Sequence, residues 1–377
     1  MTTFVVGTVL VLALALAGTR SQAPYFYNYD DVTIEDPLAY IWNNRDNLIQ
    51  DSYAPCGVKY NAGRDREGTC MHSSECKFNR GKTNGRGSCS FWNSCCISEK
   101  TCNQRTNSRV SYFMSPSDAR KNFGNCEMQV DLINENICQI RIDIIDMKIQ
   151  DPVLNGDKLE CEESFTVSPE SGTPKLCGGN KDTHFYVHLD KPNNLNNAVK
   201  LNMKLKQITG GIIEPNSPRW NIKVTQLECP SRDKKFALQH KKDTNNRPAE
   251  DFHKLAPEGC LQYFTEPSGT IQSFGYESSK MSMITAQDYA ICFKRSTSEC
   301  GIKFTSNFLD IDAAGCANNF IHTPETTLPD DAKVCFDDAP KKTWLSVHPG
   351  PLYVHVHTEI SEEKLQGFNI NYVMKGC

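Results

Sequence analysis

The sequence predicts an all-β protein: two antiparallel β-sandwiches of jelly-roll type behind a small disulfide-rich module. Three observations carry that expectation. Apolar and polar residues alternate with a period of two from about residue 140 onward. Eighteen cysteines recur in a spacing that repeats once along the chain. No clear helical periodicity interrupts the region beyond Cys102. A chain of 377 residues exceeds one ordinary core. Its 38% hydrophobic and 23% charged residues exclude a mostly disordered chain and a multi-span membrane protein. A net charge of −4 argues against a dedicated nucleic-acid binder.

The N-terminus sets the compartment. Phe4 to Ala17 carry no charge and only Thr8 as a polar side chain, which is the length of a signal-peptide core and short for a membrane span. Residues 1–17 therefore read as a signal peptide, with cleavage after Ala17 or as late as Ala23, and the protein as secreted. In an oxidising compartment, an even number of cysteines reads as a disulfide framework rather than as metal or catalytic thiols. Residues 18–55 form an acidic, aromatic segment; six acids face Arg45 alone over 23–55. Asp36-Pro37 followed by Leu38, Ile41, Trp42, Leu48 and Ile49 predicts one short helix there. Tyr25, Tyr27 and Tyr29 beside Asp30 and Asp31 could be sulfated, but an exposed aromatic-acidic tail is the plainer reading.

Residues 56–101 switch character. Cys56, Cys70, Cys76, Cys89, Cys95 and Cys96, with Cys102 just beyond, stand in sequence too poor in apolar residues to fold without cross-links. No Cys-x-x-Cys pairs of a zinc knuckle occur. The segment 56–102 is basic, at net +4.

Residues 102–229 then read as strands with one buried and one wet face. Ile140, Ile142 and Ile144 alternate with Arg141 and Asp143; Phe185, Val187 and Leu189 alternate with outward Tyr186, His188 and Asp190, with His184 on that outward face. Val199 to Leu205 and Trp220 to Val224 repeat the pattern, separated by turns such as Asn155-Gly156-Asp157 and Gly178-Gly179-Asn180. Residues 230–255 are polar, basic and rich in breakers, a linker that Lys234-Lys235 and Lys241-Lys242 open to proteases. Strands resume over 256–377, at Gly269–Phe274, Tyr289–Phe293, Ile302–Phe304, Leu352–Val356 and Phe368–Val373. The first unit holds Cys102, Cys126, Cys138, Cys161, Cys177 and Cys229; the second holds Cys260, Cys292, Cys300, Cys316, Cys335 and Cys377. Each unit closes on a cysteine after its last strand, so the pattern reads as an internal duplication.

These two units resemble CUB domains, extracellular recognition sandwiches. Segments such as GTCMHSSEC, CCISEKTC, NICQIRIDI, WNIKVTQLEC, APEGCLQYFTEPSGTIQSF and QDYAICFKR are similar to those of secreted arthropod CUB-domain proteins. The resemblance implies Cys102–Cys126 with Cys161–Cys177, and Cys260–Cys292 with Cys316–Cys335. It leaves Cys138 to Cys229 and Cys300 to Cys377. The knot ending in Cys95-Cys96 resembles clip domains, the small modules attached to arthropod serine proteases. That likeness implies Cys56–Cys95, Cys70–Cys89 and Cys76–Cys96.

Many CUB domains hold calcium through acidic residues at one end. The departures here argue against it: Cys161-Glu162-Glu163-Ser164 and Cys316-Ala317-Asn318-Asn319 lack the family's aspartate, and Lys148 stands near the expected glutamate. Asp310, Asp312 and Asn319 are the remaining calcium candidates in the second unit. No cofactor is expected, and no metal site. His355 and His357 share one face of a strand but lack an identifiable third ligand, so surface histidines are the expectation there and at His184 and His188.

The chain has no serine-protease nucleophile segment, HExxH, P-loop or Rossmann glycine pattern, and no enzyme is expected. Asn84-Gly85-Arg86 matches a short adhesion tripeptide that a loop explains as well, and no N-glycosylation sequon is present. The basic runs 77–86 and 232–247 are candidates for an anionic surface such as sulfated glycan, with solvated loops as the plainer reading. The expected role is extracellular recognition of a protein partner, in the manner of an immune or protease-cascade adaptor. The rival is a structural component of matrix, cuticle or egg coat. No membrane span is expected.

Overall fold

The computed structural model describes residues 53–60, 64–83, 85–89, 92–117, 119–122, 124–155, 158–168, 172–189, 198–207, 217–229, 251–276, 286–312, 315–327, 333–336, 342–359 and 366–377. The expected signal peptide, the helix near residue 36, the three tyrosines, Asn84 and the basic run 232–247 lie outside these residues.

The cysteine-rich module contributes β1 (Pro55–Tyr60), β2 (Arg64–Met71), a one-turn helix α1 (Ser73–Phe78), β3 (Lys82–Thr83) and β4 (Ser94–Lys100). The first sandwich follows with β5 (Gln104–Thr106), β6 (Val110–Met114), α2 (Ala119–Asn122), β7 (Asn125–Val130), β8 (Ile137–Lys148), β9 (Val153–Asn155), β10 (Lys158–Glu160), β11 (Ser164–Ser168), β12 (Thr183–His188), β13 (Val199–Lys204) and β14 (Arg219–Glu228). The second holds β15 (Cys260–Phe264), β16 (Ser268–Gln272), β17 (Gln287–Phe293), β18 (Glu299–Asp310), β19 (Asn319–His322), β20 (Lys333–Val334), β21 (Thr343–Ser346), β22 (Leu352–Thr358) and β23 (Gly367–Gly376). The all-β expectation is therefore met.

The two sandwiches share one topology. In the first, one sheet runs β6-β14-β8-β12 and the other β5-β7-β13-β11. In the second, the orders are β16-β23-β18-β21 and β15-β17-β22-β19, with β20 added at the edge. Most pairings are antiparallel, but β4·β6, β5·β7 and β15·β17 are parallel. A parallel neighbour needs a crossover. Each crossover here runs through the opposite sheet: β5 lies between β4 and β6 in sequence, β6 between β5 and β7, and β16 between β15 and β17.

The small module is not a separate lobe. Its strands continue the first sandwich's sheet in the order β1-β2-β4-β6-β14-β8-β12. The Tyr112 hydroxyl accepts the Glu67 amide at 3.0 Å, and Arg66 lies 4.2 Å over the Tyr112 ring.

Inside each sandwich the alternation works as predicted: Ile140, Ile142 and Ile144 are fully buried while Arg141 and Asp143 face the other way. Trp220 packs on Phe113 and Trp344 on Phe304, with centroids 5.5 and 5.3 Å apart. One contiguous cluster of buried residues runs through both sandwiches, joined by an edge-on contact between Phe185 and Phe274 at 6.3 Å.

One expectation fails. The face of β12 that carries His184, Tyr186 and His188 is not wet. His184 and Tyr186 are buried beneath the second sandwich and the segment entering it. A period of two assigns residues to a common face; it does not say whether another part of the chain covers that face.

Candidate functional site

The cysteine frame fixes what the surface can present. The structure joins Cys56–Cys95, Cys70–Cys89 and Cys76–Cys96 in the small module. Cys102–Cys126, Cys138–Cys229 and Cys161–Cys177 lie in the first sandwich, and Cys260–Cys292, Cys300–Cys377 and Cys316–Cys335 in the second. Adjacent Cys95 and Cys96 on β4 point to opposite faces, so one strand is pinned from both sides in two separate buried clusters. Cys56, Cys70 and Cys89 bring three sulfurs within 4.8 Å of one another. Each is already spent in a disulfide, so none is a thiolate ligand.

Resident groups already serve the acidic side chains at the ends where the sequence raised calcium. In the first sandwich, Arg120 forms a two-point pair with buried Glu163, at 2.7 and 2.8 Å. Glu163 also accepts the amides of Gln150 and Lys206 at 2.9 and 3.1 Å. Burial pushes its carboxyl up, but Arg120 and the two amides outweigh that and hold it below the usual range. Lys148 pairs with Asp151 at 2.9 Å, and exposed Glu162 with Lys206 at 3.1 Å. In the second sandwich, one Asp312 oxygen accepts the amides of Asn318 and Asn319 at 3.2 and 3.1 Å, and the Asn319 side-chain Oδ1 accepts the Glu359 amide at 2.9 Å. Burial pushes the Asp310 carboxyl up, against the backbone amide of Gln366.

The seam between the sandwiches is polar as well as apolar. His188 Nε2 donates to the Cys260 carbonyl at 3.0 Å while its Nδ1 lies 3.4 Å from Gln139 Nε2. His184 Nε2 is 3.0 Å from the Tyr263 carbonyl. Burial drives the His184 imidazole down to about 4, helped by Arg141 and opposed by Asp143. Tyr186 donates to the Lys254 carbonyl and accepts from Arg141, each at 3.0 Å. Gln139 exchanges two hydrogen bonds with the Ala256 backbone, at 2.7 and 2.9 Å. Beneath them, buried Arg109 pairs with Glu228 at 3.2 Å and with Asp251. None of the residues of that ionic triad stands out in the sequence, because nothing local distinguishes a buried charge from a wet one.

Beyond the seam, the same sheet face of the second sandwich opens to solvent. Tyr353 on β22 and Ala290 on β17 still pack against the seam; past them lie half-buried His355 and His357 on β22, exposed Asp288 on β17, and half-buried Phe320 and His322 on β19. His355 Nε2 contacts one Asp288 oxygen, and His357 Nδ1 lies 3.5 Å from the other. The sequence singles out the two histidines; the cross-strand partners appear only with the register. On the knot, Phe78 and Trp92 are the large apolar side chains most open to solvent, at 87% and 70%. Among the described residues no helix is long and apolar enough to cross a membrane.

Residues 257–335 match the family model of the animal CUB domain, a protein-interaction module of extracellular proteins. No curated protein matches the chain. Among solved structures, the chain is similar to the CUB1-EGF-CUB2 domains of rat MASP-1, with 9% identity over 72% of this chain and 100% of that one and a TM-score of 0.24. The same domains of human MASP-1/3 give 10% identity over 71% and 100%, with a TM-score of 0.23.

Proposed function

We propose that the protein is a secreted, non-catalytic recognition adaptor in which both sandwiches act as CUB-like modules behind a clip-like knot, serving immune or protease-cascade regulation. The match of residues 257–335 to the animal CUB domain carries this reading. The strand order common to the two sandwiches supports its extension to the first. Recognition falls to the exposed sheet face and the connecting loops, held by a scaffold in which the small module continues a sheet of the first sandwich and one buried cluster runs through both sandwiches.

The test is affinity capture. The full-length protein, immobilised, is exposed to extracellular fluid of its source with and without added calcium, and bound proteins are identified by mass spectrometry. One saturable protein partner, recovered equally in both conditions, is expected. If no soluble partner is captured and the endogenous protein is extracted from tissue only with denaturant, the adaptor reading is overturned in favour of a structural one.

A further inference from the structure

We propose that the outward face of β22, β17 and β19 is a binding site for a divalent transition ion of the zinc class. The donors are the imidazoles of His355 and His357 and the Asp288 carboxylate, with the His322 imidazole as the fourth.

The register places these groups together. Along β22, Leu352, Val354, Val356 and Thr358 point into the core, so Tyr353, His355 and His357 share the outer face. On one side His355 pairs with Ala290 and His357 with Asp288; on the other His355 pairs with His322 and His357 with Phe320. Directly opposed residues have Cβ atoms about 4.5–5.5 Å apart, and diagonal ones remain within reach of long side chains. The small Ala290 side chain leaves the diagonal from Asp288 to His355 open. The carboxylate uses it: one oxygen contacts His355 Nε2 and the other lies 3.5 Å from His357 Nδ1. A single carboxylate already gathers two imidazoles from the neighbouring strand.

The donor chemistry selects the ion. Two or three imidazole nitrogens and one carboxylate oxygen suit zinc and copper(II), whereas calcium and magnesium require oxygen shells. The two imidazole centroids are 6.3 Å apart. A zinc ion with Zn–N bonds of about 2.0–2.1 Å would draw them together by roughly 1 Å. The room to do so exists, since His355 and His357 are 36% and 30% exposed and Asp288 is 64% exposed. Lys333, cross-strand from His322, is a positive charge on the same sheet; its ammonium lies 4.1 Å from the centre of the Phe320 ring. An imidazole binds a metal only in its neutral form, so uptake releases protons and weakens as the pH is lowered.

The full-length protein is dialysed to equilibrium against zinc chloride, with calcium chloride in parallel, and bound metal is measured by atomic absorption. The wild type is expected to take up one zinc ion that calcium does not displace. His355→Gln with His357→Gln, and separately Asp288→Asn, should weaken binding at least about tenfold, whereas His72→Gln on the knot should leave it unchanged. Asp288 is exposed and the two histidines are half-buried on the outer face, and thermal melts of each variant check that the fold is retained. Unaltered zinc affinity in the double variant, or no uptake by the wild type at millimolar zinc, overturns the proposal. The readout involves no partner protein, so its failure leaves the recognition reading standing, and the converse holds.

Discussion

Arg109 illustrates what a single buried side chain decides. Arg109 is 1% exposed, and its guanidinium faces two carboxylates: Glu228 at the end of β14, and Asp251 in the segment that leads into the second sandwich. Asn134 adds a hydrogen bond to Glu228 at 2.9 Å, and the Glu228 amide donates to Asp251 at 3.0 Å. Removing one partner of such a network leaves uncompensated buried charge, which costs far more than the intact network contributes. Arg109→Met is expected to destabilise the protein by about 3–5 kcal/mol in urea unfolding. Adding Glu228→Gln and Asp251→Asn to that variant should recover part of the loss, because the stranded charges are then gone. If Arg109→Met alone is neutral, the triad contributes nothing to stability.

At the scale of elements, strand β12 carries a pH response. His184 titrates near 4 in the fold, against about 6.5 in an unfolded chain. Between these values the unfolded chain binds a proton that the native state refuses, so stability falls as the pH drops from about 6.5 to 4. The loss attributable to this one group approaches about 3 kcal/mol. Arg141 disfavours the imidazolium and Asp143 favours it, while the Tyr263 carbonyl accepts from the ring. Melting temperatures measured across that interval should slope steeply for the wild type and less for His184→Gln; equal slopes would remove His184 as the cause. The disulfide-closed loops make a second comparison. Cys138–Cys229 closes a loop of 91 residues and Cys161–Cys177 one of 16. Replacing the first pair with alanines should cost about 1.5 kcal/mol more than replacing the second, because the longer loop restrains more unfolded-state freedom. A larger loss from the shorter loop would show that native packing, rather than loop closure, dominates.

For the whole molecule, the consequence is cohesion without covalent linkage between the halves. No disulfide in the structure joins residues 53–229 to residues 251–377. One buried cluster nevertheless runs through both sandwiches, and Arg109, His184, His188 and Gln139 tie them across the seam. Cleavage by a trypsin-like protease at Lys234-Lys235 or Lys241-Lys242 should therefore leave two fragments that co-elute in size exclusion at neutral pH. They should separate near pH 4, where His184 takes up its proton. Immediate separation at neutral pH would mean that the seam is too weak to order the modules.

The sequence by itself determined the all-β class, the positions of most strands and the common face of His355 and His357. Those features depend on a two-residue period and on residue types, both local. Only the tertiary structure decided that the face of His184, Tyr186 and His188 is covered. It alone supplied the parallel pairings, because the sheet a strand joins is set by crossovers and not by its own pattern. It also set Asp288 and His322 beside the two histidines, since cross-strand register joins residues 33 to 69 positions apart in the chain. The physical reason is the same throughout: alternation fixes which way a side chain points, while burial, pairing and charge depend on what the rest of the chain brings against it.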